Sequence, residues 1–165
     1  MRIVLTCSVF AAVALMAGCS QHQGSVPATG EVAASATPTA AAAVPIADPC
    51  SLLTQAEASA AMGEAVGPGQ RKQFGKLTTR CSFSTASNDE LFLDVSNPGL
   101  FDAAAHMGAA PVAGIGDHAL WQHDQYSSLL LIEKGGNVIN MGLPRTIASP
   151  TPAVLKTGKL IAGRM

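Results

Sequence analysis

The sequence predicts an α+β domain: an antiparallel sheet of about four or five strands with helices on one face, in two layers. Three observations point there. Short segments of alternating apolar residues recur between residues 80 and 143, separated by turn-forming Asn, Asp and Gly. A helix start is marked ahead of them by Thr54 and Glu57. A second helix is marked after them by Thr151 and Pro152.

The elements follow in order. Asp48-Pro49-Cys50 opens the folded part, taken as residues 48–165. Thr54 and Glu57 fit a capping box, in which the hydroxyl accepts an orphan N–H and the carboxylate reaches back to the cap. Glu57 therefore reads as a cap rather than as a catalytic acid. Residues 55–62 are good helix formers, and Gly63 suits a left-handed stop. Gly67-Pro68-Gly69 breaks the chain. Residues 70–76 are polar, with a strand as one reading. Residues 80–85 alternate, with Cys81, Phe83 and Thr85 on one side. Residues 90–95 do the same with Leu91, Leu93 and Val95. The turn Ser87-Asn88-Asp89 between them predicts an antiparallel hairpin.

Asn97-Pro98-Gly99 turns the chain, and residues 100–107 read as a short helix ending at Gly108. His106 on it reads as an exposed or packed residue rather than a ligand. Residues 111–119 form a loop into a strand on which Ala119, Trp121 and His123 share a face. The unbroken apolar run 129–132 fits a central strand, Lys134-Gly135-Gly136-Asn137 turns it, and residues 138–143 return with Ile139, Met141 and Leu143 on one face. In the last helix Val154, Leu155, Gly158, Ile161 and Ala162 make one stripe, and Arg164 suits its C-terminal dipole. Gly158 there costs about 1 kcal/mol relative to Ala, which points to close approach to the sheet.

The chain of 165 residues carries a net charge of −1, and only 13% of it is charged, about half the usual quarter. It has no basic stripe, so nucleic acid is not an expected partner. Ahead of the domain, residues 21–47 are rich in Ala, Ser, Thr, Pro and Gly with a single charge at Glu31. Such a stretch cannot bury enough apolar surface to offset its ordering entropy. It reads as a flexible tether, reaching about 30 Å as a coil and about 90 Å when stretched.

Residues 1–18 read as a signal peptide. Arg2 is the positive end, residues 3–17 are an apolar run, and small residues close it. The run is shorter than the roughly 20 residues a spanning helix needs. It ends in Leu15-Met16-Ala17-Gly18-Cys19, which resembles the lipobox of bacterial lipoproteins. One position departs from that pattern: Met16 stands where Leu is usual. The resemblance implies that Cys19 is lipidated and becomes the new N-terminus, leaving 19–47 as lipidated Cys and linker. It implies a cell-envelope protein anchored by lipid and facing the periplasm or exterior. Ser20, where Asp would resemble an inner-membrane retention signal, leans towards the outer membrane in a two-membraned cell.

Cys7 leaves with the signal and Cys19 takes lipid, so Cys50 and Cys81 remain as an even pair in an oxidising compartment. A disulfide is the natural reading, with two free thiols as the alternative. Pro49-Cys50-Ser51-Leu52-Leu53-Thr54, the second Cys, and Val112-Ala113-Gly114-Ile115-Gly116-Asp117-His118-Ala119 together resemble a family of small bacterial lipoprotein domains of unknown function. The family is common in actinobacteria. The resemblance covers about residues 48–165 and implies the same fold and a Cys50–Cys81 bridge, but no activity.

Motifs of catalysis are sparse. Gly114-Ile115-Gly116-Asp117-His118-Ala119 fits the dinucleotide pattern GxGxxA superficially. Pro111 precedes it and no βαβ unit surrounds it, so a tight turn into a strand is the expectation, with no cofactor. Asp117, His118, His123 and Asp124 are metal-capable and close in sequence. The two histidines are five positions apart, which on one strand places them on opposite faces. The expected function is a non-catalytic accessory or binding module that meets an unknown envelope protein or small ligand. The alternatives are an extracytoplasmic small-ligand sensor-like domain and, less favoured, a metal-dependent enzyme.

Overall fold

The computed structural model describes residues 46, 48–74 and 78–165, so the expected signal, Cys19 and nearly all of the expected tether lie outside the described residues. The described chain opens with a single 3-10 turn, Pro49–Ser51, capped by Asp48, whose carboxylate accepts the Cys50 N–H at 2.9 Å. Cys50 is bonded to Cys81. Thr54 then begins helix α1, Gln55–Met62, with both halves of the capping box formed. The Glu57 N–H donates to Thr54 Oγ1, and the Thr54 N–H donates to Glu57 Oε2 at 2.9 Å. Gly63 ends the helix at φ +76°, which glycine adopts without a Cβ penalty.

Seven antiparallel strands follow in one sheet among the described residues: β1 Gln70–Phe74, β2 Thr78–Ser84, β3 Glu90–Ser96, β4 Ala110–Pro111, β5 His118–His123, β6 Ser127–Lys134 and β7 Asn137–Pro144. Their order across the sheet is β1-β2-β3-β7-β6-β5-β4. The expected hairpin pairs Cys81 with Leu93 and Phe83 with Leu91. The second hairpin pairs Leu130 with Met141 and Ile132 with Ile139. The centre of the sheet is the non-local β3–β7 pairing, which joins the two hairpins.

The sheet is larger than the four or five strands expected, and the two additions sit at its ends. All five β1 residues are exposed, so no face is buried and no alternation marks the strand. β4 is two residues long and contains Pro111, tolerated only because the strand is an edge.

The helices also differ from the expectation of one covered face. Helix α3, Pro152–Arg164, and α1 pack on the face that carries Cys81, Phe83, Leu91, Leu93, Trp121, Leu130, Ile132, Ile139 and Met141. Helix α2, Pro98–His106, covers the opposite face, where Ala104 and Phe101 meet Leu120, Leu129 and Leu131. Leu130 and Ile132 point one way and Leu129 and Leu131 the other, so β6 is buried on both faces and needs cover on both. The expected two layers become three at this end of the sheet. No described helix is long and apolar enough to cross a membrane.

Close approach explains Gly158. A Cβ there would lie 2.8 Å from Leu130 Cδ2 and 3.1 Å from Ile115 Cδ1. At the end of α3, Arg164 donates to Leu52 O at 2.8 Å and forks onto both Glu57 oxygens at 2.7 Å. The last helix is thereby tied to the first.

Candidate functional site

Two concave surfaces and one side-chain cluster stand out among the described residues. The first groove, about 390 Å³, lies where the loop before β5 passes α2; its walls include Phe101, Val112, Asp117, His118 and Leu120. Its shape is set by the Gly-Ile-Gly-Asp turn. Gly114 and Gly116 both have positive φ, +76° and +59°. Any Cβ on Gly116 would collide with the Glu133 carbonyl. Between them Ile115 turns inward and is 2% exposed, beneath α3. Asp117 then fastens the loop: its N–H donates to Glu133 O at 2.8 Å, and its carboxylate accepts the Gly135 N–H at 2.7 Å. These glycines thus serve a lock between a loop and the β6–β7 turn. The surrounding sheet is antiparallel throughout, which is not the parallel βαβ setting a dinucleotide fingerprint requires.

The four metal-capable residues do not converge. His118 opens β5 and faces Phe101, with ring centroids 6.5 Å apart. His123 closes the strand on the other face, about 16 Å away at the usual rise. Asp124 is spent on the β5–β6 turn, accepting the Tyr126 N–H at 2.7 Å and the Ser127 N–H at 2.9 Å. The Tyr126 N–H, followed by that of Ser127, holds its carboxyl below the usual carboxylate range. Among the described residues no three His, Cys, Asp or Glu side chains are placed to hold a metal ion.

A Ser–His contact occurs, but its polarity is wrong for catalysis. Ser128 Oγ donates its one proton to Ile147 O at 2.7 Å, so it must accept from His123 Nδ1 at 2.9 Å. A nucleophilic serine needs the reverse, with the imidazole accepting the hydroxyl proton. Ser128 is also 0% exposed, out of reach of a substrate.

The second groove, about 530 Å³, lies between α1 and α3 and is lined by Ala56, Ala60, Ala153 and Leu160 with Glu57 and Lys156 at its rim. The small side chains leave the space. Glu57 is already committed to Arg164. That bond, reinforced by the Thr54 N–H, lowers its pKa to about 2. Cys81 is 0% exposed and Cys50 is half-buried, so the bond sits against the core as a staple.

The cluster that sequence reasoning missed lies on the outer face of β1–β3. The Arg80 guanidinium forks onto Asp94 with two 2.7 Å bonds. It also lies 3.8 Å from the Phe92 ring centroid and 4.9 Å from that of Phe74. The Asp94 carboxylate raises the already high pKa of Arg80. Gly142 makes room beneath, because a Cβ there would collide with the Phe92 ring. The signal was present in the hairpin turn: centring it on Ser87 places residue 80 opposite residue 94, the observed register.

No family model, curated protein or solved structure matches this chain.

Proposed function

We propose that this chain is a lipid-anchored cell-envelope lipoprotein whose domain is a non-catalytic accessory or binding module. The observation that carries the reading is Leu15-Met16-Ala17-Gly18-Cys19 at the end of a short apolar run headed by Arg2. Cys19 is the lipidated residue, residues 1–18 the signal peptide and residues 19–47 the tether. The lipobox and the resemblance to small actinobacterial-type lipoprotein domains belong to this proposal. The Cys50–Cys81 bridge supports it, because such bonds persist in oxidising compartments outside the cytosol. Attachment is by acyl chains: each buried methylene contributes about 0.8 kcal/mol, one chain holds marginally, and two or more hold stably.

The binding role is favoured over catalysis by the polarity of the Ser128–His123 contact and by the separation of His118 from His123. A small-ligand sensor is the second reading, favoured by the groove beside Phe101 and His118. The test is replacement of the anchor. The wild-type chain is expected in the membrane fraction and labelled by a clickable fatty acid at residue 19. Cys19→Ser is expected in the soluble fraction, unlabelled. A variant that still pellets with membranes, or a wild-type chain without label, refutes the anchor.

A further inference from the structure

The two edges of the sheet are built differently. β4 is blunted in the usual ways: it is two residues long and ends in Pro111. β1 is five residues long, contains no Pro or Gly, is exposed along its whole length and pairs on one side with β2. Its start is fixed, since Gly69 runs so close to the staple that a Cβ would lie 2.9 Å from Phe83 Cε1 and 3.0 Å from Cys81 Sγ. An unblunted edge fixed at one end presents its outward N–H and C=O groups as a template for another strand.

The side chains of β1 specify what that strand carries. Lys72 stands opposite Arg80 and Phe74 opposite Thr78, so Lys72 and Phe74 share the outer face. Phe74 is 50% exposed, yet Arg80 rests over its ring, so the apolar patch is positioned beside a cation. A second copy of the chain is a poor occupant, because in-register pairing, parallel or antiparallel about the middle residue, sets Lys72 against Lys72. Like charges directly opposite destabilise a strand pair.

We propose that the β1 edge is a docking site for an extended acidic segment of a partner protein, added as an eighth strand. The segment carries a carboxylate opposite Lys72 and an apolar side chain two residues away, on the same face, over Phe74. The inference rests on the binding-module reading for its purpose and names the chemistry of the partner. It is independent of the anchor. Membrane attachment with no edge binding sinks this inference alone, and edge binding without attachment sinks the anchor alone.

The test uses the full chain in detergent micelles, titrated by fluorescence anisotropy with a short peptide repeating Glu-Thr-Val-Thr, which sets glutamate and valine two residues apart on one face, and with its Lys-Thr-Val-Thr counterpart. Saturable binding of the acidic peptide is expected, with slowed amide exchange confined to β1. Lys72→Glu should weaken it about fivefold and turn preference towards the basic peptide, and Lys72→Gln should fall between. Absence of saturable binding, equal binding of both peptides, indifference to Lys72→Glu, or protection elsewhere overturns the proposal. So does a concentration-dependent dimer in sedimentation that protects β1, because a second copy then holds the edge.

Discussion

Replacing both Cys50 and Cys81 with alanine should destabilise the domain by about 3–4 kcal/mol. The two residues are 31 apart in sequence. The chain-entropy relation for a closed loop of that length gives about 3.7 kcal/mol at 25 °C. The bridge ties the 3-10 turn at the start of the domain to the second strand, and Leu52 and Leu53, just after that turn, are each 2% exposed. Without it these two leucines must hold the N-terminal segment on the core by packing alone. For a domain of this size the loss corresponds to a fall in Tm of roughly 12–18 °C. Thermal unfolding followed by circular dichroism measures it, with the oxidised wild type and the wild type in reductant as references. The reduced wild type should melt near the double variant. A folded double variant melting within about 3 °C of the oxidised protein would refute the reasoning, because the bridge would then restrict a segment already restricted in the unfolded chain.

Two further outcomes follow from local geometry. The Glu57 carboxylate has a folded pKa of about 2, against an ordinary value of 4.5. Its contribution is therefore complete above about pH 4.5 and is lost as pH falls through about 2. The shift alone would be worth about 3.4 kcal/mol, but the pair with Arg164 partly faces solvent, where screening leaves about 1 kcal/mol. Glu57→Gln, which keeps a capping side chain, should cost that amount at pH 7 and nothing below pH 2 in denaturant titrations; a pH-independent difference would show that charge is not the cause. Gly116→Ala should cost at least about 2 kcal/mol, because φ is +59° and the new methyl meets the Glu133 carbonyl. A Tm within 2 °C of wild type would mean that the loop can re-route.

The fold was legible where one face of an element is wet and the other dry. Thr54, Glu57 and Gly63 mark α1 at both ends, and the alternations around Phe83, Leu91 and Met141 mark three strands with their inward sides correct. Legibility failed in two physical circumstances. β1 is wet on both faces, so its composition carries no period, and β4 is too short to have one. β6 is dry on both faces, so the run 129–132 announced burial without saying what covers each side. A strand buried twice demands a helix on each face, and α2 is that second helix. Its start at Pro98 was hidden because Asn97-Pro98 serves equally as a turn and as a cap with proline in the first helical position. Of the site residues, Asp117 and Asp124 were visible as acids, but their backbone duties were not, since the partners of Asp117 lie in a turn some eighteen residues away.

The clamp at Arg164 bears on the order in which the polypeptide can mature. The thirteen residues of α3 supply Val154 and Ile161, both fully enclosed, and its final turn grips the carbonyl of Leu52 and the side chain of Glu57. A nascent polypeptide emerging amino end first has neither until every strand of the sheet has already been made. Closure of the inner layer is thereby postponed until α3 has joined a sheet whose strands all precede it in the chain.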